Sequence, residues 1–83
     1  MPLYMDIHHH VSGLTADALK GAHSKDLEVQ KKHNVEYLKY WYDLGSGKVF
    51  CLVEAPNKDA ATAVHREAHG LVADEIIEVR EGN

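Results

Sequence analysis

The sequence predicts an α+β domain in which two helices cover one face of a four-stranded antiparallel sheet. Three observations carry that prediction. Four short segments show the apolar alternation or the β-branched and aromatic enrichment of strands. Two longer segments have helical apolar spacing between recognisable caps. The order of these elements is β-α-β-β-α-β, which suits a split-βαβ, ferredoxin-like sandwich. The chain of 83 residues is read as one domain, 1–83.

Residues 3–9 form the first strand. Met5 and Ile7 alternate with Tyr4, Asp6 and His8, so one face is apolar and the other mixed. Ser12-Gly13 turns the chain, and Thr15 caps a helix with Asp17 in its first turn, where a negative charge suits the dipole. This helix runs to about His33. Leu14, Ala18, Ala22 and Val29 mark its buried stripe, Leu19 lies beside it, and Asn34 closes it in the left-handed conformation. Residues 35–43 form an aromatic strand with large side chains on both faces: Val35, Tyr37, Leu38, Tyr40, Trp41 and Tyr42. Asp43 to Gly47 is a hairpin turn. Lys48 to Ala55 is the third strand, ended by Pro56. Asn57 caps a helix from Lys58 to His69, with Ala60, Ala61, Val64, Ala68 and Leu71 buried, and Gly70 stops it. In the last strand, 75–80, Ile77 and Val79 share one face and Ile76 and Glu78 the other.

Only one sheet face is covered by helices. Tyr4, Phe50, Leu52, Ile76 and the aromatic second strand are too apolar to leave in water. A second copy of the sheet is the economical cover, which predicts a homodimer of dimeric α+β barrel type.

Composition narrows the function. The net charge of −4 and the lack of a basic block disfavour a nucleic-acid partner. No apolar run approaches the roughly 20 residues of a membrane span, and the first residues lack the basic-then-apolar pattern of a secretory signal. Cys51 is the only cysteine, so no disulfide forms within the chain, and a cytoplasmic location is expected.

The chemistry concentrates in histidine. Five of the seven histidines lie in Asp6–His10 and in Val64–Gly70. His65 and His69 are four apart, the spacing by which a helix offers two imidazoles to one ion. The predicted topology places the first strand between the third and fourth. The end of the second helix then approaches the exit of the first strand and the start of the third. His23 sits on a similar flank of the first helix. The candidate metal ligands are therefore His8, His10, His23, Cys51, His65 and His69. Imidazole suits zinc, copper, nickel or iron, so the ligand types alone do not choose the ion.

Plainer readings account for the same residues. His69 in the last helical turn works as a C-terminal cap, and His65 as a surface histidine. Cys51 shares a face with Val49 and Val53 and reads as a buried thiol. Asp6 and Glu54 fall on the opposite face from Cys51, as further ligands, as an acid/base pair, or simply paired with a Tyr or Lys. Gly45-Ser46-Gly47-Lys48 is a turn, because the spacing of a phosphate loop is absent.

The chain resembles the small actinobacterial-type nickel-binding proteins. The likeness is carried by Met5-Asp6-Ile7-His8-His9, Gly13-Leu14-Thr15-Ala16, Ala22-His23, Val49 to Pro56, and Val64 to Gly70 continuing through Asp74-Glu75-Ile76. It covers nearly the whole chain. The resemblance implies a ferredoxin-like fold, a homodimer, and nickel bound at histidine-rich sites. His8, His23, His65 and His69 are the residues it points to here, with His10 and Cys51 beside them. The implied role is sequestration, buffering or delivery of nickel or another divalent transition metal. Two other functions fit the residues: a small enzyme using His65 or His23 as acid/base with Tyr40 or Asp6 in a pocket under the helices, and a plain dimeric interaction module.

Overall fold

The computed structural model describes residues 1–82 and runs β1 (Leu3–His8), α1 (Ala16–Val29), β2 (Glu36–Asp43), β3 (Lys48–Glu54), α2 (Lys58–Ala68) and β4 (Glu75–Val79). The sheet order is β2-β3-β1-β4 with every neighbour antiparallel. Both helices lie on one face. The expected α+β sandwich is thus the observed architecture. Among the described residues no helix is long and apolar enough to cross a membrane.

Local chemistry explains each boundary. Thr15 Oγ1 accepts the Ala18 amide at 3.1 Å, and Asn57 Oδ1 accepts the Ala60 amide at 2.8 Å. Caps of this kind contribute about 1 kcal/mol each. α1 ends earlier than the expected His33. Residues Gln30–His33 tighten into a 3-10 turn, which Asn34 closes at φ 57°. The Gln30 side chain and carbonyl then accept the amides of Tyr37 and Val35, so the turn consumes the donors that open β2.

Residues directly across an antiparallel pair share a face, so the register decides what lies under the helices. Tyr4 pairs with Val53, Asp6 with Cys51, and His8 with Val49. Val49, Cys51 and Val53 are buried, and so are Tyr4, Asp6 and His8. The helix side of β1 is therefore its mixed face, and Met5 and Ile7 look the other way. Three expectations change accordingly. Tyr4 and Ile76 belong to the helix side rather than the open side, and Asp6 shares a face with Cys51 instead of opposing it. Apolar alternation reveals two faces but not which one the helices cover, and here the open face is the more apolar.

A bulge in β2 serves the same side. Tyr37 pairs with Val53 and Lys39 with Leu52, leaving Leu38 as the extra residue. Tyr37 and Tyr40, three apart, consequently both face the helices. The core is Tyr4, Val35, Tyr37, Val49, Cys51, Val53, Ala55, Ala61 and Val64. Two residues expected in the helical stripes are exposed: Ala18, and Leu71, which lies at the mouth of the cleft between the helices and the sheet.

The β2–β3 hairpin anchors the segment that follows β1. Gly47, at φ +80°, accepts the Val11 amide at 2.9 Å, and a Cβ there would sit 2.7 Å from His10 Nδ1. Gly47→Ala is expected to lower stability by about 1–2 kcal/mol, the penalty of a left-handed side-chain-bearing residue. Gly21→Ala, inside α1 with open space around it, is expected to raise stability by about 1 kcal/mol. Urea unfolding midpoints read both.

Candidate metal centre

Three chain segments bring polar side chains to the interior where α1, α2 and the sheet meet. β1 supplies Asp6 and His8, β3 supplies Cys51 across from Asp6, and α2 supplies His65. One ligand atom from each of Asp6, His8, Cys51 and His65 falls within 4.8 Å of the others, and all four residues are buried. A second group, Asp26, His65 and His69, meets the same distance test and shares His65.

His65 is the hub. Only 2% of it is exposed. Its Nδ1 lies 2.9 Å from Asp26 Oδ1, and its Nε2 lies 3.0 Å from Asp6 Oδ2. The ring of Tyr37 stacks on it with centroids 4.5 Å apart and planes 20° apart. Tyr37 also donates its hydroxyl to Asp6 Oδ2 at 2.7 Å, with the Ala61 carbonyl at 3.2 Å as a second acceptor.

Burial without partners makes charge expensive, so these groups must compensate one another. Burial alone would push the His65 imidazole down, but the Asp26 and Asp6 carboxylates outweigh it and hold it at about 9. Burial likewise pushes Asp6 and Asp26 up. The neighbouring imidazoles, with the Tyr37 hydroxyl on Asp6, more than reverse that and hold both carboxyls below the ordinary range. Burial and the Asp6 charge drive the Tyr37 hydroxyl and the Cys51 thiol far upward, so both keep their protons.

That compensation is incomplete in geometry. The short His65–Asp6 contact is off-line, so it acts as charge attraction rather than as a directed hydrogen bond. Among the described residues, Asp6 Oδ1 and His65 Nε2 are buried without a hydrogen-bond partner. The approach of His8 Nε2 to Asp6 Oδ1 is 3.5 Å, too long to satisfy it. The two unsatisfied buried atoms belong to one His₂-Asp-Cys group whose ligand atoms lie close together, an arrangement suited to a cation. The donor types suit a transition metal. The adjoining cleft has about 30 Å³ of room that water can enter, enough for an ion or one or two waters.

The other candidates lie elsewhere. His10 is exposed, and its Nδ1 sits 3.1 Å from the Ser46 carbonyl, outside both groups. His9 is also exposed, held by Asp74 and Glu75. His23 lines the cleft and packs against Tyr40 with ring centroids 4.9 Å apart, again outside both groups. His65 is more deeply buried than the flanking position predicted for it. Two carboxylates complete the centre. Asp6 lies on the helix side of the sheet rather than on the opposite face that alternation predicts, and Asp26 is not among the residues the sequence singles out. Asp26 carries a readable signal, because it stands in α1 on the inward run Leu19, Ala22, His23 and Val29, where a helix otherwise places apolar residues.

The model of a family described as nickel responsive protein SCO4226-like matches residues 4–79. The crystal structure of SCO4226 from Streptomyces coelicolor A3(2) is 42% identical, covers 98% of this chain and 99% of that one, and superposes with a TM-score of 0.90. No curated protein matches.

The charge arrangement dictates a pH profile for stability. His65 is raised from 6.5 to about 9, so its contribution is whole below pH 6.5 and is lost as pH rises through 9. Asp6 and Asp26 lie below their ordinary 3.8, so their contributions are whole above that value and are lost as pH falls further. Urea midpoints of the metal-free protein are expected to be highest between these limits and to decline on both sides. Asp26→Asn is expected to flatten the alkaline decline.

Proposed function

The chain belongs to the SCO4226-like family of nickel responsive proteins, and from that premise we propose that it binds nickel through Asp6, His8, Cys51 and His65, to sequester, buffer or deliver the ion. The observation that carries this reading is the pair of unpartnered buried atoms, Asp6 Oδ1 and His65 Nε2, within a group of four metal-type donors. A divalent ion in place of the His65 proton offsets the charge of the two buried carboxylates. It also satisfies both orphaned atoms. Coordination ionises the Cys51 thiol, which burial otherwise keeps neutral. Nickel as the particular ion rests on the family, since these donors suit several metals. The narrow room beside the group favours an ion over an organic substrate, whose sites run to roughly 300 Å³ or more. A lone free thiol suits the reducing cytoplasm as the place of action.

A homodimer belongs to the same proposal. The open sheet face carries Trp41 and Ile77 exposed, with Met5, Phe50 and Leu52 partly exposed beside them. A second copy of this face is the self-complementary cover for it. Sedimentation is expected to give a dimer at micromolar concentration, and the double variant Trp41→Glu with Ile77→Glu a monomer. A monomeric wild-type chain would refute it.

Calorimetric titration with nickel tests the site. The wild-type chain is expected to take up an ion, and His65→Ala or Asp6→Ala to lose more than about 100-fold in affinity, beyond the 10–100-fold range of an outer partner. Affinity is expected to rise about a hundredfold per pH unit between 6.5 and 9, because binding displaces one proton from His65 and one from the Cys51 thiol. Unchanged affinity in both variants would remove this group from the claim.

A further inference from the structure

His69 and Asp26 have the composition of ligands, but the hydrogen bonds around them give them a different task. The Leu71 amide donates to His69 Nδ1 at 3.1 Å. That nitrogen must therefore hold a lone pair, and the proton of the neutral ring sits on Nε2. His69 Nε2 faces Asp26 Oδ1 at 3.1 Å. That approach is a short charge contact rather than an aligned hydrogen bond, and a ring nitrogen that carries the proton is not free to ligate a metal. The same Asp26 oxygen lies 2.9 Å from His65 Nδ1, so it also receives the proton of that ring.

Followed inward, each contact sets the next. The Leu71 amide fixes the tautomer of His69, and His69 holds Asp26. Asp26 keeps the proton of His65 on Nδ1, which leaves His65 Nε2 as the atom presented to Asp6, His8 and Cys51. Nε2 is the nitrogen that has no hydrogen-bond partner among the described residues. Local sequence makes the device possible. His69 lies one helical turn beyond His65, and Gly70, at φ +79°, folds the chain back so that the next amide reaches the His69 ring. The His65 carbonyl accepts both the His69 and the Gly70 amides, which secures that turn.

We propose that Asp26 and His69 are positioning residues rather than ligands: they form a carboxylate–histidine relay that orients His65 Nε2 toward the ion held by Asp6, His8 and Cys51. The inference rests on the metal-binding reading above and divides its two histidine-carboxylate groups into an inner and an outer set. Such relays fix ring orientation and raise ligand basicity.

Two measurements test it. In nickel titrations, His69→Ala is expected to keep the wild-type stoichiometry while weakening affinity about 10–100-fold. His69→Gln, whose side-chain N–H can still donate to Asp26, is expected to recover most of that loss; a lost ligand would not be rescued this way. In nitrogen-15 spectra of the zinc-loaded wild-type chain, His65 is expected to show a metal-bound Nε2 with a protonated Nδ1, and His69 a protonated Nε2. A metal-bound His69 nitrogen, or His69→Gln as damaging as His65→Ala, overturns the positioning role and leaves metal binding standing. A wild-type chain that takes up neither nickel nor zinc overturns the binding reading and the relay together.

Discussion

The contact of one imidazole with two carboxylates, all beneath the helices, is the constraint on which the rest of the structure turns. His65 joins α2 to α1 through Asp26 and to the sheet through Asp6. No apolar residue could replace it without stranding two buried carboxylates. The small core has few alternatives at this junction, because its side chains under the helices are largely alanine, valine and tyrosine. Helix docking and the candidate site are therefore one arrangement. The residues that hold α1 against α2 are the residues that orient the donors.

Buried ion pairs of this sort are weak sources of stability, since desolvation consumes most of the attraction. Their presence at this junction therefore has a reason other than net stability. The interior sets two carboxylates around one raised imidazole, and two of its polar atoms lack a partner among the described residues. Tyr37 shows how far the protein goes to keep the carboxylate ready, since its ring covers His65 and its hydroxyl holds one oxygen of Asp6 while leaving the other bare.

The two faces of the sheet divide the work. The helix side places Asp6 and His8 among valines, so polar chemistry is built into the interior. The open side carries Met5, Ile7, Phe50 and Trp41, so apolar surface is presented outward. This inverts the usual expectation that the more apolar face of a strand is the covered one. The helices cover one face, and the other is left open and apolar. The Leu38 bulge lets β2 serve the inner face with two tyrosines at odd spacing.

Much of this was legible in the chain itself. Element order, both N-caps, the left-handed Asn34 and the hairpin all come from interactions between near neighbours, and so does the i, i+4 placement of His65 and His69. Such local rules operate before any tertiary contact exists. The topology they imply was also enough to draw His8, Cys51 and the end of α2 together. What only the tertiary structure decided was which side of β1 lies under the helices, and so that Asp6 faces Cys51. It also decided that Asp26 enters the site from α1 and that His10 does not belong to it. The roles of the two α2 histidines were decided there too, because a ring's tautomer depends on partners far away in sequence or beyond a turn. Alternation and spacing report direction relative to an element's own axis. Burial, protonation and pairing are properties of what packs against it.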